Sequence, residues 1–273
     1  MTDFLTTLGW IVLGVGVGAY GTLIGAGGGF ILVPTLLLVY PRLSATQLTA
    51  ISLAVVFANA CSGSVSYARL RRIDYRSGIV LAAATLPGAV LGAIVVAYIP
   101  RRVFDLIMGA SLILVSLFLL FRPGGSSPLW LASRFTVGRR LTDSDGNTRV
   151  YRFNLGLAAL FSVALGFISS LLGIGGGIIQ VPLLTSFFSF PAHIATATAQ
   201  FVLLFTSAAG AVTHVVQGVY QPFLRLTLEL ALGVVVGAQA GAAISRRTRA
   251  ALIIRLLAIA LGLVGLRLLF ASA

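Results

Sequence analysis

Apolar residues occupy this chain in long blocks from one end to the other, with polar positions confined to short loops between them. Five blocks precede a central polar stretch, at 5–24, 30–40, 45–67, 79–99 and 103–121. Five follow it, at 153–172, 178–190, 194–216, 223–244 and 250–270. At 1.5 Å per residue, about 20 residues of helix cross the ~30 Å hydrocarbon core of a bilayer. Most blocks meet that length. The second of each half does not, since 11–13 residues of helix reach less than ~20 Å. Each short block follows a glycine cluster: Gly25-Ala26-Gly27-Gly28-Gly29-Phe30-Ile31-Leu32-Val33-Pro34, and later Gly173-Ile174-Gly175-Gly176-Gly177-Ile178-Ile179-Gln180-Val181-Pro182. Glycine costs a helix interior about 1 kcal/mol per position against alanine. The clusters therefore predict two breaks in otherwise continuous helix. In lipid a broken helix persists only where the freed backbone groups are buried in protein or line a cavity.

The pattern predicts an all-α polytopic transmembrane bundle built from two repeats, 1–122 and 153–273, joined by a cytoplasmic linker at 123–152. The halves correspond beyond the glycines. At an offset of 148, Val33-Pro34 matches Val181-Pro182, Phe57 matches Phe205 and Ser52 matches Gln200. With a one-residue slip, Gly63 matches Gly210 and Tyr67 matches His214. The stretches beginning Gly88-Ala89 and Gly237-Ala238 each repeat Gly-Ala four residues on, which brings small residues onto one helix face for close packing. In the linker, Asp143-Ser144-Asp145-Gly146-Asn147 lies between strand-like runs at 135–141 and 148–153 and predicts a β-hairpin. Its spacing is not that of a calcium loop, since Asn154 stands where the closing Glu belongs.

Composition fixes the class. The chain of 273 residues is 58% hydrophobic and 9% charged, where soluble domains carry roughly 25% charged residues. The net charge of +13 comes from arginine alone. These arginines sit in loops, so the charge reports topology rather than nucleic-acid binding. With five crossings per half, Arg69, Arg71, Arg72, Arg76, the linker arginines and Arg246, Arg247 and Arg249 share one face, thirteen in all. The other face keeps four: Arg42, Arg101, Arg102 and Arg225. The richer face is expected in the cytoplasm. An odd number of crossings inverts one half relative to the other and leaves both termini non-cytoplasmic. If the first two blocks of each half made one crossing between them, the bias would weaken. The first block has no basic leader and is expected to remain as a span. Cys61 is alone and excludes an intrachain disulfide or a thiolate cluster. No metal or cofactor is implied.

Matched breaks in two halves point to a transporter's binding site. A helix starting at Gly29 or Gly177 presents free N–H groups and a positive dipole end, which suits an anion. The expected substrate-binding residues are Gly27, Gly28, Gly29, Gly175, Gly176 and Gly177, helped by Ser52 and Gln200. The plainer reading of the glycines is tight helix crossing. Further polar residues follow the breaks: Thr46, Gln47, Thr49, Asn59, Ser62 and Ser64, then Thr196, Thr198, Thr206, Ser207 and Thr213. Any of these can instead serve interhelical hydrogen bonding. Glu229 is an ion-coupling candidate, or else the partner of Arg225 one turn earlier. Arg255 can snorkel to an interface. His193 and His214, near block ends, read as interfacial polar residues. An intramembrane enzyme would need converging catalytic groups, and no H-E-x-x-H or G-x-S-x-G motif occurs.

The doubled glycine motif resembles the TauE/SafE family of membrane proteins, the sulfite exporter or DUF81 family, across nearly the whole chain except 126–149. The resemblance implies a multi-pass secondary transporter of the cell inner membrane. Its substrates would be small sulfur-containing anions, sulfite or organosulfonates such as sulfoacetate, with export the expected direction. Alternating access would come from rocking of the halves. A permease for another small anion or metabolite is the alternative. Expected partners are a small anionic sulfur compound and the lipid bilayer, without nucleic acid; a homo-oligomer is left open.

Overall fold

The computed structural model describes residues 2–121, 135–245, 258 and 261–269. Helices dominate it. Helices α1 (Thr2–Ile24), α2 (Gly29–Val39), α3 (Ala45–Arg69), α4 (Tyr75–Val95) and α5 (Arg101–Leu120) make the first half. Strands β1 (Thr136–Thr142) and β2 (Thr148–Asn154) form the hairpin. Helices α6 (Leu155–Leu172), α7 (Gly177–Ser186), α8 (Ala192–Val216) and α9 (Leu224–Ile244) follow. Residues 261–269 are helical, while most of the expected tenth segment, with Arg246, Arg247, Arg249 and Arg255, lies outside the described residues. Among the described residues, six helices are long and apolar enough to cross a membrane: α1, α3, α4 with its 3-10 extension to Tyr98, α6, α8 and α9.

Local chemistry sets the helix starts. Ser44 and Gln47 form a reciprocal capping box on α3. Asp74 caps α4 and Asn154 caps α6 by accepting from backbone N–H groups three residues on. Helices α2 and α7 start differently. Gly28 and Gly176 precede them with φ of 84° and 58° and no side-chain cap. Gly25, Gly27, Gly173 and Gly175 are also left-handed, so each break requires three glycines in a conformation that side chains resist.

Each break turns the chain back. Trp10 near the start of α1 stacks on Tyr40 at the end of α2, and Tyr20 meets Phe30 where the two helices adjoin. In the second half Phe161, early in α6, packs edge-on against Phe188, just past α7. The short helices are therefore the returning arms of hairpins. Gly29 lies roughly 16 Å along α2 from Tyr40, and Ile24 roughly 21 Å along α1 from Trp10. Helices α1 and α2 thus run antiparallel to each other rather than end to end.

Packing crosses between the halves. Helix α1 runs parallel to α9, with Gly233, Gly237 and Gly241 against the backbone of Ile11, Val15 and Ala19. Helix α4 runs parallel to α6, with Gly88 and Gly92 against the backbone of Val163 and Phe167. A Cβ at any of these five glycines would stand 2.1–2.3 Å from a carbonyl oxygen. The small-residue stretches read from the sequence are thus close-packing seams. Helix α5 meets the 261–269 helix antiparallel, Gly109 against Gly265 and Gly262 against Ser116.

The hairpin lies at the end where α3 stops and α4 starts. Tyr151 and Phe153 pack on Phe188 and Phe190. The Tyr151 hydroxyl donates to Asp74, and Arg139 reaches both Asp74 and Ser77. Burial, reinforced by the Asp74 carboxylate, pushes the Tyr151 phenol far up, so it stays a donor. In the turn, Asp143 accepts from the N–H groups of Asp145 and Asn147. This five-residue connection matches the hairpin expected from Asp-Gly.

Candidate functional site

The two glycine breaks are packed on each other in the interior. A Cβ at Gly29 would stand 2.5 Å from the carbonyl oxygen of Gly173, and one at Gly177 would stand 2.2 Å from that of Gly25. The third helices complete the arrangement reciprocally. Thr196 of α8 abuts Gly25 and Thr49 of α3 abuts Gly173. Val56 and Leu203, from the same two helices, close over Gly27 and Gly175. Residues 25–30 and 171–178 are buried throughout.

These contacts correct the repeat register. Thr49 pairs with Thr196, Val56 with Leu203 and Gly63 with Gly210, all at an offset of 147. The slip therefore falls before Thr49, in the loops ahead of the third helices. The counterpart of Gln200 is Leu53, not Ser52. The contacts agree, since Gly63 faces Gln200 and Gly210 faces Leu53.

The glycines proposed from the sequence are together, but they are not equivalent. The N–H groups of Gly28, Gly29 and Gly176 make no hydrogen bond among the described residues, as expected of helix starts. That of Gly177 is directed to Gly175 O at 2.5 Å, and that of Gly27 to Gly21 O at 3.2 Å. The expectation of a free donor thus fails at Gly177, because the left-handed turn folds its N–H inward.

Ser52 reaches the second break, donating to the Gly173 carbonyl at 2.6 Å. Gln200 belongs to the surroundings of the first. Its Nε2 donates to the Asn59 carbonyl, Asn59 Oδ1 accepts from Thr22, and the Thr22 carbonyl accepts from Gly25 and from Tyr67. Several buried polar atoms around the breaks have no partner: Asn59 Nδ2, Gln200 Oε1, Gln180 Nε2, and the hydroxyls of Ser169 and Ser170. Ser169 Oγ stands 3.0 Å from where a Gly176 Cβ would lie. A buried polar group without a partner costs roughly 1–3 kcal/mol. Five around one feature mark a place built for polar contact.

Thr22, Ser169, Ser170 and Gln180 escaped the sequence reading. Ser169-Ser170 ends an apolar block three residues before the glycines, and Gln180 replaces the Leu32 of the first copy. Both departures from an apolar repeat were available as signals.

Other expected residues are used elsewhere. Gln47 is consumed by the α3 cap. Ser62 and Ser66 bond to the α9 backbone and to Gln239, fastening α3 to α9. Thr206 bonds to Thr85 and Thr198 to the Asp74 N–H. His214 is not interfacial: it is fully buried, with Gln217 at 3.0 Å and Thr49 at 3.4 Å. Glu229 pairs with Arg225 at 2.9 Å and accepts from Thr7. Thr7 is roughly 27 Å along α1 from Gly25, so Glu229 does not touch the breaks.

Comparison with known proteins agrees with this architecture. The profile of the family described as "Sulfite exporter TauE/SafE" matches residues 10–268. A Bacillus subtilis protein, "Probable membrane transporter protein YunE", is 29% identical over 266 residues, 95% of this chain and 96% of its own. A Methanocaldococcus jannaschii protein, "Probable membrane transporter protein MJ0441", is 26% identical over 209 residues, 75% of this chain and 70% of its own. No solved structure matches.

Proposed function

The chain belongs to the TauE/SafE sulfite exporter family and is a membrane transporter, and on that premise we propose that it moves small sulfur-containing anions, sulfite or an organosulfonate, outward across the inner membrane. The observation that carries this reading is the pair of buried helix starts packed against each other and ringed by unpartnered polar groups. Backbone N–H groups at Gly28, Gly29 and Gly176, with the positive ends of α2 and α7, suit a compact oxyanion. Neutral hydroxyl and amide donors at Ser169, Ser170, Gln180 and Asn59 add hydrogen bonds without a fixed positive charge that would hold the anion too tightly to release, while Gln200, its Nε2 engaged by the Asn59 carbonyl, braces that side of the site. Val56 and Leu203 close the site, so passage requires α3 and α8 to shift off the glycines.

In this reading residues 1–122 and 153–273 are inverted repeats and 123–152 is a cytoplasmic linker. Support comes from the reciprocal contacts at the breaks, the parallel seams between halves, and the arginine bias. Both termini would then face away from the cytoplasm. Reporter fusions at Ala273 and Gly146 check this: a cytoplasmic signal at Ala273 would overturn it.

Flux in proteoliposomes across sulfite, thiosulfate, sulfate, sulfoacetate and taurine tests the substrate. Saturable movement of sulfite or a sulfonate is expected, with its half-saturation raised about tenfold in a Ser169→Ala/Ser170→Ala variant. Movement of none of the five by folded protein would remove the sulfur-anion reading.

A further inference from the structure

Away from the breaks, at the end of the bundle that carries the β-hairpin, lies a cavity of about 380 Å³. It is bounded by three parts of the chain: Arg72 from the α3–α4 loop, Asp143, Asp145, Asn147 and Arg149 from the hairpin, and Pro191 to Ile194 at the start of α8. That volume falls within the range of small-ligand sites.

We propose that this cavity is a second anion site, one that takes a compact oxyanion such as phosphate or sulfite. Three independent features converge on it. Helix α8 is 25 residues long and starts at Pro191 without a side-chain cap, so its positive end opens on the cavity. Arg72, which borders it, is 5% exposed, and its Nε and Nη1 have no hydrogen-bond partner. Its Nη2 is held by Asp145 at 3.2 Å, while its Nε stands 4.0 Å from Asp143, beyond hydrogen-bond reach. Arg149 and His193 line the same space. A buried guanidinium with unused donors calls for an acceptor.

The lining is formally balanced, Arg72 and Arg149 against Asp143 and Asp145, so the site rests on its unused donors rather than on net positive charge. Both Asp143 oxygens are engaged inside the turn, one by the N–H groups of Asp145 and Asn147 and the other by the Asn147 side chain. Asp145 is the partner of Arg72. The donors left over belong to Arg72, Arg149, His193 and the first turn of α8. An anion there would join the α3–α4 loop, the hairpin and α8. His193 precedes Thr196 by one turn, and Thr196 abuts Gly25 at the first break. Occupancy would therefore bear on the helix whose shift the transport reading requires, so the consequence, though not the site, rests on that reading.

Calorimetric titration of the detergent-purified chain with inorganic phosphate and with sulfite tests the proposal. Saturable binding is expected, weakened at least tenfold by Ala192→Asp, which places a carboxylate at the helix start, and by Arg149→Gln on the exposed strand. Gly176→Ala should leave the phosphate response intact, which separates this site from the breaks. Flux then distinguishes two sources of the same chemistry. If the transported anion docks here first, Arg149→Gln raises KM for sulfite and leaves kcat alone. If a cytosolic effector docks here, phosphate changes sulfite flux without being moved. No phosphate or sulfite binding by the parent, or binding indifferent to both Ala192→Asp and Arg149→Gln in folded protein, would overturn the site.

Discussion

The two glycine breaks share a backbone and differ in chemistry. Both turn through three left-handed glycines, both lie under a threonine of the opposite half, and both meet the carbonyl of the other. Around the first, Thr22, Asn59 and Gln200 form a connected chain that leaves one amide donor and one amide acceptor spare. Around the second, three donors are spare: Ser169, Ser170 and Gln180. Where the first half has Gly21 against Gly28, the second has Ser169 against Gly176. The two turns share the backbone shape that a broken helix demands. Their side chains differ, and the second break is the richer in unpartnered donors.

The most disruptive test addresses the shared shape. Gly29→Val and Gly177→Val each drive a branched side chain into a facing carbonyl at 2.5 and 2.2 Å. Overpacking of this kind costs about 1–3 kcal/mol or more. Both variants should lose thermal stability in detergent to a similar degree. Tolerance of one and collapse of the other would break the equivalence of the two turns.

Next comes the chemistry in which they differ. Ser169→Ala with Ser170→Ala removes hydroxyls that satisfy nothing within the protein, so the melting temperature should hold. Sulfite affinity should fall about tenfold, which corresponds to ~1.4 kcal/mol. An unchanged affinity would assign the donor-rich side no part in binding.

A smaller effect is expected on the amide side. Gln200→Leu installs the residue that its counterpart Leu53 already is. Stability should hold or rise, because a buried unpaired acceptor is removed. Affinity should drop only about threefold, in keeping with loss of the one neutral hydrogen bond, ~0.5–1.5 kcal/mol, by which Gln200 braces Asn59. A loss exceeding that of the serine pair would reverse the ranking of the two breaks.

The least effect belongs to Glu229→Gln. An ion pair with an arginine that is 66% exposed is worth about 0–1 kcal/mol. The pH response of flux should be that of the parent. Its disappearance would return Glu229 to the mechanism and give the start of the α1–α9 seam a role that neither break has.

The blocks, the breaks, the hairpin and the small-residue seams were all legible in the sequence, because each depends on local pattern: block length, glycine density, Asp-Gly, spacing by four. What was not legible depends on which face a residue turns inward. Gln47 and Gln200 are both amides on third helices, yet one is spent on a cap and the other is buried beside the first break. His214 lies near a helix end and is nonetheless enclosed, because α3 crosses α8 there and supplies Thr49. The repeat register is hidden in the sequence for a related reason. The one-residue difference sits in loops that tolerate it, and only the contacts of Thr49 and Thr196 locate it.

The parallel glycine seams have a mechanical meaning. Backbones held so closely along α1 and α9, and along α4 and α6, cannot slide or part without losing contact over their whole length. The first hairpin is thus bolted through α1 to α9 of the second half, and the second through α6 to α4 of the first. Units that are separate in sequence are not the units that can move. If the molecule rocks, the hinge lines run between the α1–α9 and α4–α6 assemblies, each drawn from both ends of the chain, and a half expressed by itself would lack the helix its hairpin is fastened to.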